Sequence, residues 1–173
     1  TRASKGHALR PVSYGDELIT NGTFDTDSDW TKSAGSTIAN GVLTQTIVSG
    51  GFQSARQLYE FEAGSIYVLT ATVNGTSGKN MRFRDDAQNL GGLRYDTSDG
   101  ATNGRVIMNG SDQDVRFIFQ ARAGSDRILI ERDSTSGDYS YTVDNVSLKK
   151  VTFDESDGTL TLFEHPNNVP RVE

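Results

Sequence analysis

The sequence of 173 residues contains no cysteine, only 3 prolines and no apolar run of membrane-spanning length. The missing cysteine excludes disulfide bonds and thiolate metal sites. The net charge of −6, with acids spread through turn-like segments, argues against general binding to nucleic-acid phosphates. No signal peptide is visible. Because the chain begins at Thr1 rather than Met, we expect a processed product or a piece of a longer protein.

What the sequence does contain is 18 glycines and many short β-prone segments separated by Gly, Asn, Asp and Ser. About ten such segments, at a spacing of roughly 8–12 residues, are typical of a β-sandwich, and no window has a helical period. In residues 65–74, the face that carries Tyr67 and Leu69 is the more apolar and should point into the core. The predicted core residues are Phe24, Trp30, Leu43, Leu58, Tyr67, Leu69, Val73, Phe117, Phe119, Ile128, Ile130, Val143, Val146 and Leu148.

The segment 140–151, Ser-Tyr-Thr-Val-Asp-Asn-Val-Ser-Leu-Lys-Lys-Val, is a second clear strand pattern. Tyr141 and Val143 alternate with polar residues, which predicts a strand with one buried face. Asp144 and Asn145 interrupt the alternation, and both residue types are rare in strands. An acid inside a strand should have a partner, because a buried unpaired charge is costly.

Three stretches resemble jelly-roll carbohydrate-binding modules, the galactose-binding-like β-sandwiches attached to xylanases and glucanases. They are residues 17–25 (Glu-Leu-Ile-Thr-Asn-Gly-Thr-Phe-Asp) followed by Trp30, residues 61–73 with their aromatic-x-Ala-Gly-x-x-Tyr pattern, and residues 141–148. The resemblance implies an all-β, antiparallel two-sheet jelly-roll sandwich with extended terminal arms. We therefore predict an N-terminal arm over 1–15, a jelly-roll domain over 16–151, and a C-terminal strand and tail over 152–173 that leads into a missing or partner segment.

The same resemblance implies a structural calcium ion. In that family the acid after Phe in the first motif and the Asp of the closing strand commonly hold calcium, which here are Asp25 and Asp144. Calcium takes roughly six to eight oxygen ligands, and backbone carbonyls could supply the remainder. Such an ion would join the first strand to the last. The alternative is that Asp25 forms an Asx turn and Asp144 accepts a hydrogen bond from a neighbouring backbone N–H.

The two ends of the chain resemble a short pattern of tailed-phage virion proteins. Residues 1–4 are Thr-Arg-Ala-Ser, and residues 167–173 are Asn-Asn-Val-Pro-Arg-Val-Glu. In tail-fibre-like proteins the first half begins a hairpin and the second closes it, so the jelly roll would be an insertion between them. This resemblance implies a virion location on a phage tail or capsid surface, contacts with other virion proteins and a homotrimeric parent protein.

The sequence favours a binding protein over an enzyme. The only histidines, His7 and His165, lie in the terminal segments, and no Gly-x-Ser-x-Gly elbow is present. Pairs of carboxylates for glycoside cleavage stay open, but the acids fit solvated turns better. We therefore predict no catalytic residues.

Sugar binding would require exposed aromatic faces and nearby polar groups. Tyr139 and Tyr141 lie outside the predicted core and are further candidates for stacking, whereas Trp30 should be packed inside. The arginines could alternatively form a solvated face paired with nearby aspartates. The predicted ligand-binding residues are Gln57, Tyr59, Arg82, Arg84, Tyr95 and Arg132.

Three functions remain after this reasoning. The first is a non-catalytic phage module that contacts a host-surface glycan or polysaccharide and neighbouring virion subunits. The second is a purely structural virion domain. The third is a carbohydrate-binding module of a secreted bacterial glycanase.

Overall fold

The structure, a computed structural model, describes residues 7–9, 13–48, 53–85, 104–133, 137–152 and 162–164, and their regular structure is entirely β. Within this part of the chain, no helix is long and apolar enough to cross a membrane. In chain order the strands are β1 (His7–Leu9), β2 (Ser13–Glu17), β3 (Thr31–Lys32), β4 (Ser36–Ala39), β5 (Val42–Ile47), β6 (Ser54–Leu58), β7 (Ile66–Gly75), β8 (Asn80–Arg84), β9 (Arg105–Ile107), β10 (Gln113–Gln120), β11 (Arg127–Arg132), β12 (Tyr139–Thr152) and β13 (Leu162–Glu164).

Strands β2 to β12 form two antiparallel sheets that enclose one core, which confirms the predicted jelly-roll sandwich. The six-stranded sheet has the order β10-β7-β12-β5-β4, with β2 also paired to β12. The five-stranded sheet has the order β3-β6-β11-β8-β9. Apolar side chains from both sheets form a single cluster between them. Each large apolar side chain buried there stabilises the fold by roughly 1.5–3 kcal/mol relative to leaving it exposed.

Strand alternation sets which side chains enter the core. Tyr67, Leu69 and Val73 of β7 are at most 1% exposed, as the sequence predicts. Every other predicted core residue is also buried, with one exception: Leu58 is 70% exposed, so that prediction was wrong. Ala55 and Gln57 of β6 face inward instead, and Leu58 lies on the outer face opposite Arg127.

The interruption at Asp144 and Asn145 is a β-bulge in the central strand β12. The pairing with β7 shifts between Asp144 and Ser147, and Asn145 has a φ of 52°. Asparagine tolerates this left-handed conformation better than most residues, and one extra residue restores the alternation after a bulge. The bulge also separates two halves of β12 that have different neighbours. The half before the bulge pairs with β5, and the half after it pairs with β2.

The two ends of the described chain meet in a small separate sheet. Strand β1 pairs antiparallel with β13, with His7 opposite Glu164 and Leu9 opposite Leu162. The segments on either side of the sandwich are therefore joined to each other by backbone hydrogen bonds.

Candidate functional site

The outer face of the five-stranded sheet carries a group of arginines. Strand alternation produces this arrangement, because the residues next to them in sequence point into the core. These inward neighbours are Ala55, Met81, Phe83 and Val106, each 0% exposed. We call the outward group the arginine face; it consists of Arg56, Arg82, Arg84 and Arg105.

The strand register places the arginines in two rows across the sheet. Arg56 of β6 and Arg84 of β8 both pair with Leu129 of β11, so Leu129 lies between them. Neighbouring strands are about 4.8 Å apart, which puts the backbones of these two arginines about 10 Å apart. In the next row Arg82 lies between Glu131 and Arg105.

Two buried carboxylates orient part of the arginine face. The Glu131 side chain is 0% exposed, and its Oε1 accepts hydrogen bonds from Arg82 Nε at 2.6 Å and Arg84 Nη1 at 3.1 Å. Asp133 is 5% exposed and binds Arg82 Nη1 at 3.1 Å and Arg105 Nε. A buried carboxylate depends on such partners, since unpaired it is strongly destabilising. The four arginines therefore exceed these two acids by two positive charges.

Arg56 differs from the other arginines of the face. It is exposed, and it makes no hydrogen bond or ion pair with any other residue that the structure describes. Exposures of 27% for Arg82, 26% for Arg84 and 49% for Arg105 leave part of each side chain open to solvent. The face thus combines arginines held by buried acids with Arg56, whose charge, after the larger effect of Arg127, helps to lower the pKa of the exposed Asp126.

A depression of about 410 Å³ lies at the end of β6 beyond Arg56. Leu58 to Phe61 line one side of it, and residues 124–126 line the other. The Tyr59 ring packs edge-on against Phe61, with 4.9 Å between ring centroids. Burial, followed by a hydrogen bond with Tyr67, raises the pKa of Tyr59 to about 12. The Tyr59 hydroxyl is therefore neutral at any physiological pH.

The structure separates the six residues predicted to bind a ligand. Arg82 and Arg84 lie together on the arginine face, and Tyr59 lines the depression. Gln57 points inward, where its amide donates to Thr20 O and accepts from Thr20 N, both at 2.8 Å. Arg132 pairs with Met81 and is on the same side of β11 as Ile130, away from the arginine face. Tyr95 lies outside the described residues.

Sequence reasoning missed two arginines of this face, Arg56 and Arg105, and the buried Glu131 that orients it. The sequence did contain a signal for Arg56, because it lies between Ala55 and Gln57 in a β-prone segment and so points to the opposite side of the strand from both. Glu131 follows three apolar residues in β11, and an acid in such a run indicates a buried partner of opposite charge. Its partners on β8 are 47 and 49 residues away in sequence, so the pattern alone could not identify them.

The other aromatic candidates are packed in the interior. Tyr139 and Tyr141 are 5% and 1% exposed, and the Tyr141 hydroxyl donates to Gln45 Oε1 at 2.7 Å. Burial raises the pKa of Tyr141 well above that of a free tyrosine. Trp30 is 6% exposed and donates through Nε1 to Asn21 O at 3.1 Å, in the interior as predicted. Among the described side chains, no aromatic ring lies on the arginine face.

The predicted calcium ligands make local hydrogen bonds. Asp25 Oδ2 accepts from Thr23 Oγ1 at 2.7 Å, and Asp144 Oδ1 accepts from the Asn145 backbone N–H at 2.6 Å. The described residues contain no group of three or more His, Asp or Glu side chains that could hold a metal ion. These contacts fit the alternative of turn and capping roles, and the donor set is small for calcium. Calcium binding stays a prediction.

A different carboxylate, Glu17, joins the first segment to the closing strand. Its Oε1 accepts from the Leu148 backbone N–H at 2.8 Å, and its Oε2 accepts from Ser147 Oγ at 2.5 Å. The backbones also meet where Val146 N donates to Gly22 O at 2.9 Å. A side chain on Gly22 would place Cβ 1.9 Å from Val146 O, so glycine is required for this approach. Glu17 and the close backbone approach at Gly22 therefore join the two segments directly.

No protein-family model and no curated protein matches the chain, but solved structures share its fold. A xylan-binding domain from Paenibacillus barcinonensis superimposes with a TM-score of 0.54 at 17% identity, over 81% of this chain and 97% of that domain. The N-terminal cellulose-binding domain of a Cellulomonas fimi β-1,4-glucanase gives a TM-score of 0.51 at 17% identity, over 74% and 93%.

A phage protein is also among the similar structures. The enzymatically active domain of tailspike protein 4 from bacteriophage CBA120 gives a TM-score of 0.51 at 15% identity. The match covers 78% of this chain and 21% of that one, so only part of the tailspike domain corresponds to the sandwich. At these identities the comparisons establish the fold, a β-sandwich shared with carbohydrate-binding modules.

Proposed function

We propose that this chain is a non-catalytic, glycan-binding module of a phage virion, in a tail fibre, spike or decoration protein. The observation that carries the glycan-binding part is the arginine face. It is a partly exposed, polar sheet surface on a fold that carbohydrate-binding modules share. Guanidinium groups that are already oriented by buried acids can bind oxygen-rich ligands with little further ordering.

The virion setting rests on three further features. The flanking halves resemble a phage structural pattern, and β1 and β13, which lie just inside them, pair with each other. This pairing is what an insertion between two halves of a hairpin requires. The similarity to part of a phage tailspike domain also supports this setting.

A non-catalytic role is supported by how the acids of the face are used. Glu131 and Asp133 have buried side chains, and both form ion pairs with arginines. Glycoside cleavage instead needs two carboxyl groups that flank the scissile bond and contact the substrate.

A glycan array tests the binding function. The full chain, displayed as a multivalent conjugate, should bind a subset of bacterial surface polysaccharides, and Arg82→Gln should weaken that binding. Absence of binding by the folded conjugate would favour the purely structural virion role. Retention on insoluble xylan or cellulose would instead favour a module of a secreted glycanase, as in the two bacterial domains.

The assembly and calcium parts of the proposal have their own tests. Light scattering of the intact parent protein should give a trimer, and a monomer or dimer would refute this. Calcium should raise the melting temperature of the full chain reversibly, because an ion bound only by the native state stabilises it. Asp144→Asn should abolish that increase, and an unchanged melting temperature with chelator would remove the site.

A further inference from the structure

We propose that the ligand of the arginine face is an acidic polysaccharide whose sugar units carry carboxylates, such as a polyuronate. This inference rests on the proposed glycan-binding function and specifies its substrate class. It follows from the charge of the face, from the shape of its donors and from the lack of described aromatic rings on it.

Charge is the first argument. The chain as a whole has a net charge of −6, yet the arginine face has two more positive charges than buried acids. The net negative charge of the protein repels an anionic ligand, so the attraction has to come from the arginine face itself. Such a local positive surface raises the encounter rate with an anionic chain and fixes its register.

Donor geometry is the second argument. A guanidinium presents parallel N–H groups that match the two oxygens of a carboxylate. Glu131 and Asp133 hold Arg82 in position through Nε and Nη1. Arg56 and Arg84 are on either side of Leu129, about 10 Å apart at the backbone. Arginine side chains at this separation could each bind an anionic group along an extended sugar chain.

The aromatic rings supply the third argument. Neutral glucans and xylans are recognised mainly through stacking of their C–H faces on exposed rings, with polar groups around them. On the described part of the arginine face there is no ring, and Tyr59 lies beyond its end in the depression. The described side chains that can supply affinity there are the arginines, whose charged hydrogen bonds suit a carboxylate-bearing chain.

The decisive experiment compares polymers that differ only in charge. Calorimetry of the full chain should show binding to polygalacturonate, and at least about tenfold weaker binding to its methyl-esterified, neutral form, which corresponds to about 1.4 kcal/mol. Raising the salt concentration should weaken the interaction, because exposed charges are screened. Dextran sulfate at the same charge density serves as the control for nonspecific polyanion binding.

Two variants test the residues themselves. Arg56→Gln removes an exposed guanidinium without disturbing the buried acids and should weaken polygalacturonate binding by about tenfold, the effect of one charge-assisted contact. Arg84→Lys keeps the charge but removes the paired donors, and it should also weaken binding. Arg116→Gln, on the outer face of the six-stranded sheet, removes the same charge elsewhere and should leave the affinity unchanged.

The outcomes separate the two proposals. Binding to neutral xylan or cellulose with none to polygalacturonate would retain the glycan-binding function and overturn the acidic ligand. Equal affinity for dextran sulfate would also overturn it, because binding would then depend on negative charge and not on carboxylate groups. Equal loss in Arg56→Gln and Arg116→Gln would overturn it too, because the position of the arginine would then not matter. No binding to any polysaccharide by the folded chain would overturn both.

Discussion

The two outer faces of the sandwich show different ways of covering a β-sheet. On the five-stranded sheet, the buried outward residues Leu129 and Glu131 are flanked by arginines. On the six-stranded sheet, three apolar side chains form an outer apolar cluster that is separate from the core. This cluster consists of Val68, Ile118 and Val151, each at most 5% exposed, with Ile66 packed against it.

The two faces differ in how much of their polar surface is open to solvent. The outer apolar cluster is already covered, and the polar groups around it pair with each other, as Thr72 does with Asp114 at 2.9 Å. The arginine face leaves its arginine side chains partly exposed above buried acids. One face is therefore stabilised by an apolar cluster and the other by ion pairs to buried acids.

The largest expected effect is on the arginine face. Glu131→Ala removes the acceptor for two arginines, and the free energy of unfolding should fall by about 3 kcal/mol, as when one partner of a buried ion pair is deleted. Urea denaturation measures the change. Asp114→Ala on the opposite face removes an exposed acid and should change stability by less than about 0.5 kcal/mol. Equal effects of the two substitutions would show that the faces do not differ as described.

The outer apolar cluster should give the next largest effect. Ile118→Ala opens a cavity in a buried cluster and should destabilise the protein by about 2 kcal/mol, the lower end for such truncations. Leu58→Ala is the matched control on the five-stranded sheet, because Leu58 is 70% exposed and should lose less than about 0.5 kcal/mol. A larger loss at Leu58 would mean that the depression beside it is covered by another part of the protein.

A smaller effect should come from Glu17, which ties the first segment to β12. Glu17→Gln keeps an acceptor oxygen but weakens its hydrogen bonds to Leu148 N and Ser147 Oγ, so we expect a loss of about 1 kcal/mol in denaturant unfolding. Glu60→Gln, at an exposed acid just beyond the end of β6, is the control and should be neutral. If Glu17→Gln is neutral while chelator destabilises the protein, a metal ion rather than Glu17 joins these segments.

Period-two patterns predicted much of the fold and half of the arginine face. The alternation of Met81 and Phe83 with Arg82 and Arg84 is visible in the sequence, and the structure follows it. The break in alternation at Asp144 and Asn145 likewise indicated where the bulge lies, but not its backbone conformation.

The pattern failed where a distant partner decides the orientation of a strand. In β6 the period-two pattern shows that Gln57 and Leu58 point to opposite sides of the strand, but it does not show which of the two is buried. That choice depends on the backbone of Thr20, 37 residues away, which needs the Gln57 amide as its hydrogen-bond partner. The same limit applies to Glu131, whose arginine partners belong to another strand.

The smallest expected effect concerns the depression at the end of the arginine face. Because the folded-state pKa of Tyr59 is raised to about 12 from 10.0, its neutral form contributes stability that is complete below pH 10 and is lost between pH 10 and about 12. Tyr59→Phe cannot ionise, so it should lose less stability than the wild type over that range, measured by denaturation at each pH. Burial also raises the pKa of Tyr141, so Tyr141 contributes a loss over the same range, but it does so equally in both proteins and cancels in their difference. If Tyr59→Phe and the wild type lose stability in parallel between pH 10 and 12, the Tyr59 hydroxyl is not buried against Tyr67, and the depression is more open to ligand than its packing indicates.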